Sequence, residues 1–112
     1  MTLTDQEIEE LRIEIAECVG WQQLKQGGWR RPNGTIENTY YGESWRLPPY
    51  TTSIDSIREA AMERFECPLD QYKFQYDLDS VYNEQNHYQE WKLTALDWSI
   101  AFARTAKIWR YQ

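Results

Sequence analysis

The segment from Trp45 to Ala61 constrains the fold more than any other part of the chain. Its Pro48-Pro49 pair favours an extended backbone, because a residue that precedes proline is sterically excluded from the α region. Three hydroxyl residues follow at 51–53, and a helical pattern begins directly after them. Thr52 with Asp55 resembles a capping box, in which side chains satisfy N–H groups of the first helical turn. The sequence therefore predicts a stiff corner that leads into a capped helix.

Length and composition indicate a single domain, residues 1–112. A chain of 112 residues is close to the common domain size and can bury a core of its own. Six Trp and eight Tyr supply much of that core, because their rings bury large areas despite their polar groups. The formal net charge of -6 argues against nucleic acid as a partner, since binding to phosphates needs a basic face.

The sequence predicts no metal site, no cofactor and no membrane segment. One histidine and two distant cysteines, Cys18 and Cys67, do not match a zinc-binding pattern. No apolar run is long enough to cross a bilayer. No charged-then-apolar leader is found at the N-terminus, so we expect a cytoplasmic protein with reduced thiols.

Helical periodicity appears in three places. Thr4 with Glu7 predicts a capped N-terminal helix, which Gly20 should end. A second helix should begin at Ile54 and stop at Pro68. A third, 95–109, follows Thr94 and is apolar around much of its circumference, which leaves room for a subunit interface and thus for a homo-oligomer.

The stretch 71–82 alternates between apolar and polar residues, which is typical of a half-buried strand. A polar turn and a partner strand, 87–93, should complete a hairpin that pairs Tyr76 with Leu93 and Leu78 with Trp91. Together these elements predict an α+β protein with a short antiparallel sheet and about three helices.

Residues 22–50 lack clear periodicity and are rich in aromatic residues and turn signals. Asn33-Gly34 favours a type I′ hairpin turn, and it competes with Gly27-Gly28 for the same residues. Rings and guanidinium groups in such a loop could hold a planar or anionic ligand, with hydroxyls at the following helix start binding the anion. The alternative is a loop that covers the sheet with its aromatic residues. The candidate ligand-binding residues are Trp29, Arg30, Arg31, Tyr40, Tyr41, Trp45, Tyr50, Thr51, Thr52, Ser53 and Asp55.

Several short motifs recur in the order found in a known family. They are Val19-Gly20-Trp21, the run 28–32, the run 47–54 that opens a helix, and an alanine-rich C-terminal helix. Together they resemble the small phage-associated ABA-sandwich domain proteins. The resemblance covers nearly the whole chain and implies an α/β/α sandwich encoded by a phage or a prophage, but no established activity.

We therefore expect a non-enzymatic accessory protein of phage type that binds a host protein or sequesters a small anionic or planar ligand. Counter-defence is one role that such a protein could have. The first alternative is a structural or oligomeric phage component joined through the C-terminal helix. The second is a small metal-dependent hydrolase that uses Asp55, Asp77, Asp79 or His87, although their spacing matches no established catalytic or metal-binding pattern.

Overall fold

The described part of the chain is mainly helical, so the predicted α/β/α sandwich with about three helices is wrong. The computed structural model describes residues 3–24, 28–34, 36–37, 47–84 and 93–110. In these ranges the protein forms four helices, and its only sheet has three strands of two residues each. The elements are α1 (Asp5–Cys18), β1 (Gln22–Gln23), β2 (Trp29–Arg30), β3 (Ile36–Glu37), α2 (Ile54–Arg64), α3 (Pro68–Glu84) and α4 (Ala95–Thr105).

Helix α3 occupies the segment that was predicted to be the first strand of a hairpin. Phe74, Leu78 and Val81 are buried, at the spacing of three and four residues that places side chains on one helical face. Tyr72 and Tyr76, which completed the apparent alternation, are 83% and 66% exposed. The predicted pairing of 71–82 with 87–93 is therefore wrong, and residues 87–92 lie outside the described residues.

Pro68 begins α3 and does not end α2. Helix α2 ends earlier, at Arg64, and the amide of Phe65 still donates to the Ala61 carbonyl. Proline suits the first position of a helix, because the amide hydrogen that it lacks would have no partner there. Only residues 65–67 connect the two helices, so the helical pattern of α2 extends in the sequence almost to Pro68.

The helix ends show which local predictions hold. The capping boxes of Thr4 with Glu7 and of Thr94 with Asp97 are confirmed. Gly20 follows the C-cap of α1 with φ +110, as a glycine that ends a helix should. The cap of α2, however, is Ser53 and not Thr52, because the Ser53 side chain accepts from the Ser56 amide.

The sheet uses both of the turn signals that were expected to compete. Strand β2 lies between β1 and β3 and pairs with each in an antiparallel register. In the second turn the Gly34 amide donates to the Arg31 carbonyl at 2.9 Å, so Pro32 and Asn33 occupy the two central positions. The turn is therefore centred one residue earlier than the predicted Asn33-Gly34 pair.

Helix α4 is the element around which the other helices pack. It contacts α1, α2 and α3, and Ala101, Phe102 and Ala103 are fully buried. The ring centroids of Phe102 and Phe65 are 5.0 Å apart, and those of Phe65 and Phe74 are 5.2 Å apart. These aromatic contacts join the end of α2 and the middle of α3 to α4. The wide apolar circumference of α4 is thus covered within one chain, and the helix ends at Thr105, before the predicted 109.

Candidate functional site

Two helices hold the corner formed by residues 47–50. From α1, the Arg12 side chain donates to the carbonyl oxygens of Leu47 and Pro48, the latter at 3.1 Å. From α4, the fully buried Ser99 hydroxyl lies 2.8 Å from the Tyr50 carbonyl oxygen and 2.9 Å from that of Ala95, and its one hydrogen is shared between these two acceptors. These contacts add side-chain donors to a segment in which the Pro48 carbonyl also accepts from the Tyr50 amide at 2.9 Å. The corner is therefore fixed from both sides.

Of the three hydroxyl residues after the corner, Ser53 is the one that caps α2. Thr51 is buried at 8% exposure, and the exposed Thr52 hydroxyl lies 3.5 Å from the Pro49 carbonyl. Ser53 caps the helix by accepting from the Ser56 amide at 3.3 Å. Asp55 adds a negative charge to the same helical turn, where it is exposed and complements the helix dipole. The predicted anion seat is thus already occupied by groups of the chain itself.

A cleft of about 360 Å³ lies beside the corner. It is bounded by Trp21, which lies three residues after the end of α1, by the turn between β2 and β3, by the corner, and by one face of α2. Its lining residues are Trp21, Arg31, Pro32, Asn33, Pro48, Tyr50, Ser56, Glu59, Ala60 and Glu63. The cleft is therefore built by four segments that are distant in sequence.

The turn that forms one wall of the cleft packs closely against the end of α1. A Cβ atom placed on Gly20 would lie 3.2 Å from the Cβ of Pro32. The Arg31 guanidinium lies 5.7 Å from the centroid of the Trp21 ring, within the range of a cation–π contact. Gly20 thus allows the turn to approach, and Arg31 covers one aromatic face.

Among the described residues of the cleft, carboxylates supply most of the charge. Glu59 and Glu63 line it one helical turn apart on α2, and Arg31 supplies a guanidinium. Burial, and to a smaller extent these two carboxylates, raise the pKa of Tyr50 to about 12, although a hydrogen bond to the Trp21 side chain acts in the opposite direction. Tyr50 is only 4% exposed, so the cleft holds a neutral phenol next to two negative charges.

The structure brings two of the predicted site residues, Arg31 and Tyr50, into this cleft. Trp29 is 1% exposed and belongs to the core, while the adjacent Arg30 side chain is exposed outside the cleft. The remaining described candidates, 51–53 and Asp55, form the start of α2 as set out above. Three candidates lie outside the described residues: Tyr40, Tyr41 and Trp45.

Sequence reasoning missed most of the cleft. Trp21, which belongs to the buried core at 8% exposure, was not among the predicted site residues, and neither were Glu59 and Glu63. Their spacing of four residues, on a face different from that of the buried Ile57 and Ala61, was the available signal. That signal could not show that a turn 25 or more residues earlier lies opposite them.

The acidic residues considered for hydrolysis have separate roles. Asp77 is 4% exposed and binds the Lys73 ammonium at 2.7 Å and the Thr105 hydroxyl at 2.7 Å. Asp79 is exposed and accepts from Gln75 on the same helix, and Asp55 lies on α2. His87 lies outside the described residues. Among the residues that the structure describes, no group of three or more His, Cys, Asp or Glu side chains could hold a metal ion.

Comparison with known proteins adds no relative. No family model, no curated protein and no solved structure matches the chain. Within the described ranges, no helix combines the length and the apolar character that crossing a membrane requires.

Proposed function

We propose that this chain is a non-enzymatic binding protein that recognises a partner protein through the cleft beside the corner. The observation that carries the proposal is the cleft itself. A fixed corner and the start of α2 hold aromatic, cationic and anionic side chains around one open volume of about 360 Å³. Polar and charged groups around an aromatic centre are typical of surfaces that bind proteins.

The geometry favours a partner protein over a small anionic ligand. Among the described residues, two carboxylates and one guanidinium line the cleft, and the start of α2 is capped by Ser53 and flanked by Asp55. A free anion would meet repulsion from these carboxylates. A planar ligand would have to share Trp21 with Arg31, which already lies over that ring.

The proposal that a phage or prophage encodes this protein rests on the short sequence motifs alone. The sandwich that the resemblance implied is absent from the described residues, so the fold adds no support for that origin. The proposed accessory role of phage type therefore depends on the motifs at 19–21, 28–32 and 47–54. In that role the partner would be a host protein, and counter-defence is one outcome.

The structural alternative has less support. The oligomer was expected because α4 seemed too apolar for a monomer, and α4 is covered by α1, α2 and α3 of its own chain. A virion or scaffold component would need another self-associating surface.

The test is capture of a partner from host lysate by the wild-type protein and by a variant with a filled cleft. Ser56→Trp should fill the cleft, because Ser56 lines it from the first turn of α2. Met62→Trp is the matched control, since Met62 is on the same helix, is 71% exposed and does not line the cleft. We expect the wild type and Met62→Trp to retain the same protein, and Ser56→Trp to lose it.

Thermal unfolding of both variants checks that the fold persists. Retention of the partner by a folded Ser56→Trp variant would contradict the proposal, because binding would then occur elsewhere. Turnover of phosphodiester or ester substrates, with or without divalent metals, would contradict its non-enzymatic part.

A further inference from the structure

We propose that the cleft accepts a cationic side chain, an arginine or a lysine of the partner protein, between Glu59, Glu63 and Tyr50. This inference rests on the proposed function, because it names the chemistry that the same cleft recognises. Three observations lead to it: two carboxylates without partners, a buried hydroxyl with unused hydrogen-bonding capacity, and a cation that is already directed elsewhere.

The first observation is that Glu59 and Glu63 have no ion pair and no hydrogen bond within the described part of the chain. Both are exposed and lie four residues apart on α2. Like charges at this spacing destabilise a helix by about 0.2–0.5 kcal/mol. Some acids elsewhere pair with bases, as in Arg12 with Glu9, Lys73 with Asp77 and Arg104 with Glu84, whereas others, such as Glu66, have no ion pair among the described residues. The pair in the cleft therefore costs stability and has no compensating contact among the described residues.

The second observation is Tyr50, a polar side chain that is more than nine-tenths buried and lines the cleft. Its oxygen accepts a hydrogen bond from Trp21, whose indole can only donate. A phenol has a second lone pair and a hydrogen of its own, and neither has a partner among the described residues. A ligand in the cleft would meet this hydroxyl at the aromatic floor, next to the two carboxylates.

The third observation is the position of Arg31, whose guanidinium lies over the Trp21 ring, 5.7 Å from its centroid. Among the described residues that line the cleft, two carboxylates stand against one guanidinium, in a chain whose net charge is -6. Such a field attracts cations and repels anions.

Carboxylates one helical turn apart can bind a single guanidinium or ammonium from two sides. Their Cβ atoms lie about 5–6 Å apart at this spacing. Charge-assisted hydrogen bonds to carboxylates are about twice as strong as neutral ones, and the planar guanidinium can form two in parallel. An arginine therefore fits the cleft better than a lysine does.

The experiment is a titration of the full chain with small blocked amino acids, followed by NMR at the Trp21 indole N–H. The probes are acetyl-arginine amide, acetyl-lysine amide, the uncharged acetyl-citrulline amide and inorganic phosphate. We expect a saturable shift with the arginine probe, a weaker one with the lysine probe, and none with the other two. The double variant Glu59→Gln/Glu63→Gln should weaken binding of the arginine probe roughly tenfold, as expected for the loss of charged hydrogen bonds.

Two control variants sharpen this titration. Glu17→Gln/Glu66→Gln makes the same change in net charge away from the cleft and should leave binding unchanged. Arg31→Ala removes the competing positive charge and should tighten binding of the arginine probe, whereas Arg30→Ala, outside the cleft, should not. An anion site would show the opposite response to Arg31→Ala.

The possible failures can be told apart. Equal shifts with the arginine and citrulline probes, or a shift with phosphate, would overturn the cationic inference. A captured partner that persists with Glu59→Gln/Glu63→Gln but is lost with Ser56→Trp would overturn it too, and would leave the proposed function intact. If the arginine probe titrates the cleft while no partner depends on Ser56, the proposed function fails and the cationic site stands.

Discussion

The corner at 47–50 and the interface between α3 and α4 are both held by polar side chains, but by opposite arrangements of charge. At the corner, the charged Arg12 donates to neutral backbone carbonyls. At the interface, the buried carboxylate of Asp77 accepts from the Thr105 hydroxyl and from Lys73. The corner therefore depends on donors, Arg12 and Ser99, whose backbone acceptors cannot be mutated away. The interface depends on partners that must keep a buried charge satisfied.

The largest effect should come from Arg12. Its side chain is 13% exposed and bonds two carbonyls, of which the Pro48 carbonyl also accepts from the Tyr50 amide at 2.9 Å. Arg12→Ala should lower the free energy of unfolding by about 3 kcal/mol, the upper end for hydrogen bonds to a charged group. Urea unfolding followed by Trp fluorescence would measure this loss.

Two further variants test whether the corner acts as a unit. Arg58→Ala is the control, since this exposed cation only covers the Trp98 ring and should matter by about 0.5 kcal/mol. Ser99→Ala removes the second donor, and the double variant with Arg12→Ala should lose less than the sum of the two single losses. Strict additivity would show that the two contacts hold independent segments.

The second prediction concerns pH. Because the folded state raises the pKa of Tyr50 from 10.0 to about 12, the unfolded chain releases this proton at lower pH than the folded chain does. The free energy of unfolding should therefore fall between about pH 10 and about pH 12, by on the order of 2 kcal/mol. Unfolding measured across this range should show the decline in the wild type and a smaller one in Tyr50→Phe.

Tyr72→Phe is the control for this prediction, since Tyr72 is 83% exposed. It should keep the alkaline decline of the wild type. An identical decline in Tyr50→Phe would mean that the buried phenol at the corner does not cause it.

At the α3–α4 interface, Thr105→Val should cost about 1.5 kcal/mol, because the Asp77 carboxylate would lose a hydrogen bond while it stays buried. Valine keeps the size and shape of threonine, so packing changes little. Ser80→Ala, a hydroxyl loss elsewhere on α3, is the comparison. If the two variants unfold alike, Thr105 is not needed to stabilise the buried charge.

The corner could be predicted from sequence because its determinants are local. Pro48-Pro49 and the following hydroxyls restrict their own backbone, so only the choice of Ser53 over Thr52 as the cap was missed. Helix α3 could not be predicted in this way, because its exposed Tyr72 and Tyr76 imitate the period of a strand. The solvent exposure of a tyrosine depends on which helices pack against it, and α4 decides this from more than 15 residues away.

The site was predictable only in part, for the same reason. Arg31, Tyr50 and Trp29 were all predicted as site residues from their residue types. Trp29, however, is a core residue at 1% exposure. Glu59 and Glu63 look like an ordinary solvated face until the 31–33 turn is known to lie opposite. Proximity between segments distant in sequence, and not residue type, defines the cleft.

The smallest effect should come from Lys73, the second partner of Asp77. Its side chain is 51% exposed, so water can replace the ammonium at the edge of the interface. Lys73→Met keeps the aliphatic stem and should lower the free energy of unfolding by about 0.5 kcal/mol, as for a solvent-screened ion pair. Thermal unfolding of Lys73→Met, Thr105→Val and the double variant would give the coupling between them. If Lys73→Met loses as much stability as Thr105→Val, the ammonium matters as much as the hydroxyl for the buried charge of Asp77. The corner and the interface would then both depend on a cation, and would differ only in whether that cation bonds backbone carbonyls or a carboxylate.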